Sequence, residues 1–205
     1  PTDALAISNP RSNSPLAKAF ISQGQPTPFP MRDARPLKGL TVPADLGLLS
    51  FHDVLQKAFG WTDSHLHAFV QGRRRFEVFY PGYEQRRGPD QATEERDVVL
   101  GELLRAKGDA LEYQYDMGDF WEHSIVVEEV SEGTDGRCRC LAGARSGPPE
   151  DCGGALRYPE ILEALADPDH PEHEELSEWL GDGFDPEAFS LTVINRALAK
   201  LKRRK

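Results

Sequence analysis

Hydrophobic positions along this chain recur with two spacings, and the switches between them mark out the elements. Phe51, Val54, Leu55, Ala58 and Phe59 share one helical face, with Ser50 as a possible cap before them and Gly60 after them. This predicts a helix over 51–59. Next, Leu66, Ala68 and Val70 alternate with His65, His67 and Phe69, and Phe76, Val78 and Phe79 follow the Gln71-Gly72 turn, which predicts a β-hairpin. A clearer hairpin follows, in which Leu111, Tyr113 and Tyr115 alternate with Glu112 and Gln114. Beyond an Asp116-Met117-Gly118-Asp119 turn, Trp121, His123, Ile125 and Val127 alternate with Glu122, Ser124 and Val126. Val98 to Leu104 predicts a short helix between the two hairpins.

Three helices are expected in the last third. Pro159 and Pro171 each stand at a first helical position, and Asp185-Pro186 leads into a final helix with Leu191, Ile194, Leu198 and Leu201 on one face. Three stretches lack such periodicity. Residues 1–35 read as a disordered Pro/Ser-rich leader, with at most a turn of helix at Leu16 to Ile21; half of the sixteen prolines lie within residues 1–43. Residues 81–96 read as a surface loop, and Gly133 to Gly154 as a long irregular region. The expected organisation is a single domain over 36–201, followed by a basic tail at 202–205. Its class is α+β, a small antiparallel sheet packed with helices, the C-terminal part being helical.

Charge refines this picture. The net charge is −10, which disfavours a general nucleic-acid binder or a membrane-surface role. Residues 150–187 carry thirteen acidic and one basic side chain, and residues 188–205 carry six basic and no acidic ones. The acidic block reads as a solvated helical face with the chain's own Arg196 to Lys205 as its partner. No apolar run is long enough for a transmembrane helix, no secretory signal is present, and three cysteines make no disulfide framework. A cytoplasmic protein with reduced thiols is expected.

The segments YQYDMGDFWEH (Tyr113 to His123) and CLAGARSGPPEDCGG (Cys140 to Gly154) resemble the plasmid pRiA4b open-reading-frame-three-like family. FGWTDSHLHAF from Phe59 and WLGDGFDPEAFSLTVINRAL from Trp179 extend the resemblance over residues 36–201. It implies a compact, roll-like α+β domain. It brings no settled activity; some members carry a TnpR-like, insertion-element passenger label, taken here as gene context. Members open with a strand and a Pro-Pro-x-Trp-Arg-Arg stretch, of which only the tail is matched, at Ala34 to Leu40. The first strand is therefore expected to be missing, leaving a sheet edge for residues 1–35 or a partner to cover.

Several residues in these segments carry possible chemistry. Asp116 and Asp119 can bond to their own turn or bind a cation. His123 falls on the apolar face of its strand, where Asp116 or Asp119 is the expected partner; it serves either as a satisfied core histidine or as a base or metal ligand. Cys140 and Cys152, with eleven residues between them, can close a loop on zinc with His123 and Asp116 or Asp151, or be buried structural thiols or a redox pair. Cys138 is the weaker participant. The run Gly147 to Gly154 reads as a rigid loop holding Glu150 and Asp151, either lining a site or bracing the hairpin. His65 and His67 project to one side of a strand but lack a third ligand nearby in sequence. Trp61, Trp121 and Trp179 read as core aromatics, and Arg73 to Arg75 as a solvated face.

Two readings follow. The first is a non-enzymatic interaction or accessory domain, linked to plasmids or mobile elements, with a protein partner rather than nucleic acid. Its groove would lie between the hairpin and the cysteine loop, with Trp121, Asp151, Gly153 and Gly154 as lining. The alternative is a metal-dependent, hydrolase-like enzyme. Here His123, Cys140 and Cys152 would hold zinc, with Asp116, Asp119, His123 and Glu150 as catalytic candidates.

Overall fold

The structure, a computed structural model, describes residues 16–23, 37–80, 92–132 and 135–204. In chain order the elements are β1 (Leu16–Gln23), β2 (Leu37–Pro43), α1 (Leu48–Phe59), β3 (His67–Gln71), β4 (Arg74–Glu77) and β5 (Thr93–Glu94). They continue with α2 (Leu100–Leu103), β6 (Ala110–Tyr115), β7 (Trp121–Ser131), β8 (Arg139–Ala144), α3 (Gly154–Ala166), α4 (His173–Leu180) and α5 (Leu191–Leu198). The strands form one sheet in the order β5-β4-β3-β6-β7-β1-β2-β8. Pairing is antiparallel except between β4 and β5. The α+β class with helices towards the C-terminus is as expected, and no helix among the described residues is long and apolar enough to cross a membrane.

The two hairpins arise where alternation predicts them. Leu111, Tyr113, Tyr115, Trp121, His123, Ile125 and Val127 all turn inward and are buried. Helix α1 lies across this face, with Phe51 stacked on Phe69 at 5.8 Å and Phe59 tilted against His123 at 4.6 Å. Burying each such phenyl ring stabilises the fold by about 1.5–3 kcal/mol. The helix begins at Leu48 after an extended Gly47, earlier than expected, and ends at Gly60 with φ 83°. Ser50 is therefore inside the helix. Its hydroxyl accepts from the Arg204 amide at 2.7 Å instead of capping α1.

Several expectations are corrected. Residues 16–23 form neither a turn of helix nor part of an unstructured leader: they are β1, a sheet strand between β7 and β2. The sheet thus has its N-terminal strand, supplied by a segment that the prolines on either side disguise. The rest of the predicted leader, most of the loop over 81–96 and Lys205 lie outside the described residues. The supposedly irregular stretch 133–154 contains β8, which pairs with β2. Helix α3 starts at Gly154, so Pro159 lies inside it and removes one helical hydrogen bond. Helix α4 starts at His173, beyond Pro171. Trp179 is 50% exposed, unlike the buried Trp61 and Trp121.

The basic tail also finds other partners than expected. Arg203 pairs with Asp45 at 2.9 Å, and Arg204 with Asp53 at 2.6 Å and Asp63 at 3.4 Å, all carboxylates around α1 rather than in the acidic block. Near it, α5 secures the border strand β8. Asn195 accepts from the Cys140 amide through Oδ1 and donates to its carbonyl through Nδ2, both at 2.9 Å.

Candidate functional site

Strand register brings the chemistry together. His67 pairs with Tyr115 across β3 and β6, so the residues just before β3 lie beside those just after β6. The Asp116 amide donates to the Leu66 carbonyl at 2.9 Å and fixes this juxtaposition. The following turn is built on Asp116 (φ 58°), whose Oδ1 accepts from the amides of Gly118 at 2.8 Å and Asp119 at 3.3 Å. That is the conformational role expected for a turn aspartate. Its second oxygen, Oδ2, faces His65 Nε2 at 3.5 Å.

The loop from Gly147 to Gly154 then folds over both connections. Pro148 accepts from the Trp61 indole at 2.8 Å. Glu150 Oε1 accepts from the Thr62 amide at 2.7 Å and from the Tyr115 hydroxyl at 3.1 Å, while Oε2 lies 3.4 Å from His65 Nε2. Asp151, also at positive φ (58°), places Oδ1 3.1 Å from the same nitrogen. Asp119 points away and accepts from the Gly153 amide at 3.0 Å. Burial, reinforced by Glu150, raises the Tyr115 phenol, so it remains a donor to that carboxylate.

His65 Nε2 is thus surrounded by three carboxylate oxygens, one each from Asp116, Glu150 and Asp151, yet it forms a hydrogen bond with none. Asp116 and Glu150 each have one oxygen tied to a backbone amide and the other turned to this point. Such anchoring of carboxylates from behind is how protein sites orient metal ligands.

The other candidates are placed elsewhere. His123 is fully buried among Phe59, Trp61 and Tyr113, and neither ring nitrogen has a partner; Asp116 and Asp119 do not reach it. Burial pushes its pKa down to about 3. The structure does not gather Cys140, Cys152 and His123 into a ligand set: among the described residues no group of three potential ligands contains a cysteine. The sheet order explains this, because β8 stands three strand positions from β7, about 14 Å at ordinary strand spacing. Burial raises all three thiols, to about 11 at Cys138 and about 12 at Cys152, so none is a ready thiolate.

Trp121 and Gly154 pack instead of lining a groove, while Gly153 is exposed. Trp121 is buried against Tyr158, and Gly154 is closed against the Asp119 backbone. An open cleft of about 610 Å³ lies instead between the C-terminal end of α1, the loop over 145–150 and α5, lined by Phe59, Trp61, Pro148, Glu150, Phe189 and Ile194. Of the two histidines read as a pair, His65 joins the carboxylate cluster, and His67 bonds to Glu95 and stacks on His52. His52 has no signal of its own in the sequence, being one of several polar residues on α1.

Comparison with known proteins places the chain. The family described as plasmid pRiA4b ORF-3-like protein matches residues 37–193. An uncharacterized protein, y4hQ, of Sinorhizobium fredii (strain NBRC 101917 / NGR234) is 38% identical over 168 residues, covering 80% of this chain and 84% of that protein. The crystal structure of MM3350, a protein of unknown function from Methanosarcina mazei Go1, superposes with a TM-score of 0.72 at 28% identity, over 87% of this chain and 97% of that one. Sequence match, curated relative and solved fold agree, and the chain belongs to the plasmid pRiA4b ORF-3-like protein family.

Proposed function

We propose that the chain is a divalent-metal-dependent enzyme of hydrolytic type, its ion held by His65, Asp116 and Asp151, with Glu150 beside them. One observation carries this reading: three carboxylate oxygens lie 3.5, 3.4 and 3.1 Å from His65 Nε2 without forming hydrogen bonds to it. The donors of His65, Asp116 and Asp151 also lie within 4.8 Å of one another, which lets them share an ion. Ligands about 2.1 Å from a common centre stand about 3.0 Å apart at right angles and about 3.4 Å apart in a tetrahedron. One imidazole among carboxylates favours Zn²⁺, Mn²⁺ or Fe²⁺ over Ca²⁺ or Mg²⁺. Such an ion would supply a water ionised near neutral pH. The apolar cleft shares Glu150 with this cluster and offers room for an apolar part of a substrate.

A second reading, a binding domain for a protein partner, is favoured by Leu66, Met117 and Phe120, which are exposed on the segments carrying His65 and Asp116. Nucleic acid fits less well, since Arg203 and Arg204 already pair with carboxylates of the chain.

The test is the transition-metal content of the full chain, purified without chelator, beside Asp116→Asn. The substituted amide keeps an oxygen for the Gly118 amide but loses the charge facing His65. A bound equivalent that the variant loses supports the enzyme reading and justifies screening of ester and phosphoester hydrolysis. A chain that takes up no zinc in titration overturns it and leaves the binding domain.

A further inference from the structure

We propose a second divalent-metal site, independent of the first, between His52 on α1, Asp63 in the α1–β3 connection and His67 at the start of β3, with Glu95, just after β5, bonded to His67. The imidazoles of His52 and His67 stack with centroids 3.5 Å apart and planes 6° from parallel. His52 Nε2 is 2.7 Å from Asp63 Oδ1, and His67 Nε2 is 3.0 Å from Glu95 Oε1. Both ring nitrogens and an Asp63 oxygen lie within 4.8 Å of one another, so one ion can touch all three.

Two of the ligands are also held from behind. His52 Nδ1 is bonded to the Tyr113 hydroxyl at 2.8 Å, and the Gln56 side chain donates to that same hydroxyl at 3.1 Å. Asp63 is held by the Gln56 side chain, which accepts from its amide at 2.7 Å, and Arg204 contacts Oδ2 at 3.4 Å, leaving Oδ1 to face His52. His52 is thereby oriented with Nε2 towards Asp63, the arrangement of a histidine ligand with its second nitrogen fixed by the protein.

A separate observation points to a cation. Glu95 is fully buried, and its Oε2 has no hydrogen-bond partner. A buried carboxylate oxygen without a partner is expensive, and a positive ion held beside it lowers that cost. Two imidazoles with one carboxylate form a donor set for a first-row transition metal such as Zn²⁺ or Co²⁺. Asp63 is the one partly exposed ligand and gives the ion its way in.

The experiment is zinc titration of the metal-free full chain, with bound metal measured by elemental analysis after desalting, for wild type, His67→Ala and Asp116→Asn. The expected result is about two equivalents in wild type and about one in each variant. Two equivalents in His67→Ala, or loss confined to Asp116→Asn, overturns the second site and leaves the first standing. Loss confined to His67→Ala supports the second site and overturns the first, and no zinc in wild type overturns both. Because His67 is nearly buried, imidazole NMR of wild type gives an answer that needs no folded variant. Zinc shifting the His52 and His67 signals supports the site, and zinc moving only His65 overturns it.

Discussion

Gly154 sits so close to Asp119 that a β-carbon on it would lie 2.2 Å from the Asp119 carbonyl oxygen, and its φ of 74° is one that side chains disfavour. This contact locks the loop carrying Glu150 and Asp151 onto the turn carrying Asp116. Gly154→Ala should therefore lose roughly 3 kcal/mol of stability by combined clash and backbone strain. In denaturant titrations its midpoint should fall, and zinc affinity should fall with it, because the two halves of the cluster are pushed apart. An unchanged midpoint would show that the loop shifts freely.

Tyr115 is a positioning residue for Glu150. Its hydroxyl lies 3.1 Å from Oε1 and 3.2 Å from Oε2, and it accepts from the Ser64 amide at 3.2 Å. Tyr115→Phe leaves the ring stacked on Trp61 but frees the carboxylate. Zinc should then bind about tenfold more weakly while the metal-free protein unfolds close to the wild-type midpoint. Isothermal titration beside a melting curve separates these effects.

His123 makes stability depend on pH in an identifiable direction. Its folded pKa, pushed down to about 3 by burial, is below the roughly 6.5 of an unfolded histidine. The unfolded chain takes up a proton that the folded one refuses, so this contribution is whole above about pH 6.5 and lost as pH falls below it. At about 1.4 kcal/mol per pH unit, it amounts to roughly 2 kcal/mol by pH 5. His123→Phe fills the same aromatic surroundings without unpaired nitrogens. Urea unfolding at pH 7 and pH 5 should show the variant gaining on wild type by about that amount. An equal difference at both pH values would mean that the folded protein protonates His123.

The thiols should be inert. With burial raising Cys138 to about 11 and Cys152 to about 12, a disulfide reagent at pH 8 should react more than about 100-fold more slowly than with an ordinary thiol, until urea exposes them. The double substitution Cys140→Ser, Cys152→Ser should keep its bound metal. Loss of metal there would restore zinc–thiolate binding as an explanation.

How far each element can be read in advance follows from how its burial is divided. The β6–β7 hairpin is legible because large residues at alternate positions face one core. β8 is not, since Cys140 is its one buried residue and glycine and alanines fill much of the rest. β1 buries Ala17 and Ala19, too small to write a pattern against flanking prolines. In the site, Asp116, Glu150 and Asp151 are visible as acidic residues in constrained turns. Their meeting with His65 depends on β3 lying next to β6, and the order of strands in a sheet leaves no mark in local periodicity. The same blindness makes cysteine and histidine spacing look like a zinc loop, when the strands concerned are far apart.

The pairing of Asn195 with Cys140 has a consequence beyond holding α5 in place. A border strand ordinarily offers free amides and carbonyls to any extended chain that passes, and β8 would be such a template. The carboxamide imitates one residue of a further strand and ends the ladder from within the molecule. At the opposite border β5, only two residues long, offers almost no template. With leucine at position 195 the Cys140 amide and carbonyl lose that partner, growth of β8 onto copies of itself becomes easier, and turbidity rising with protein concentration would report it.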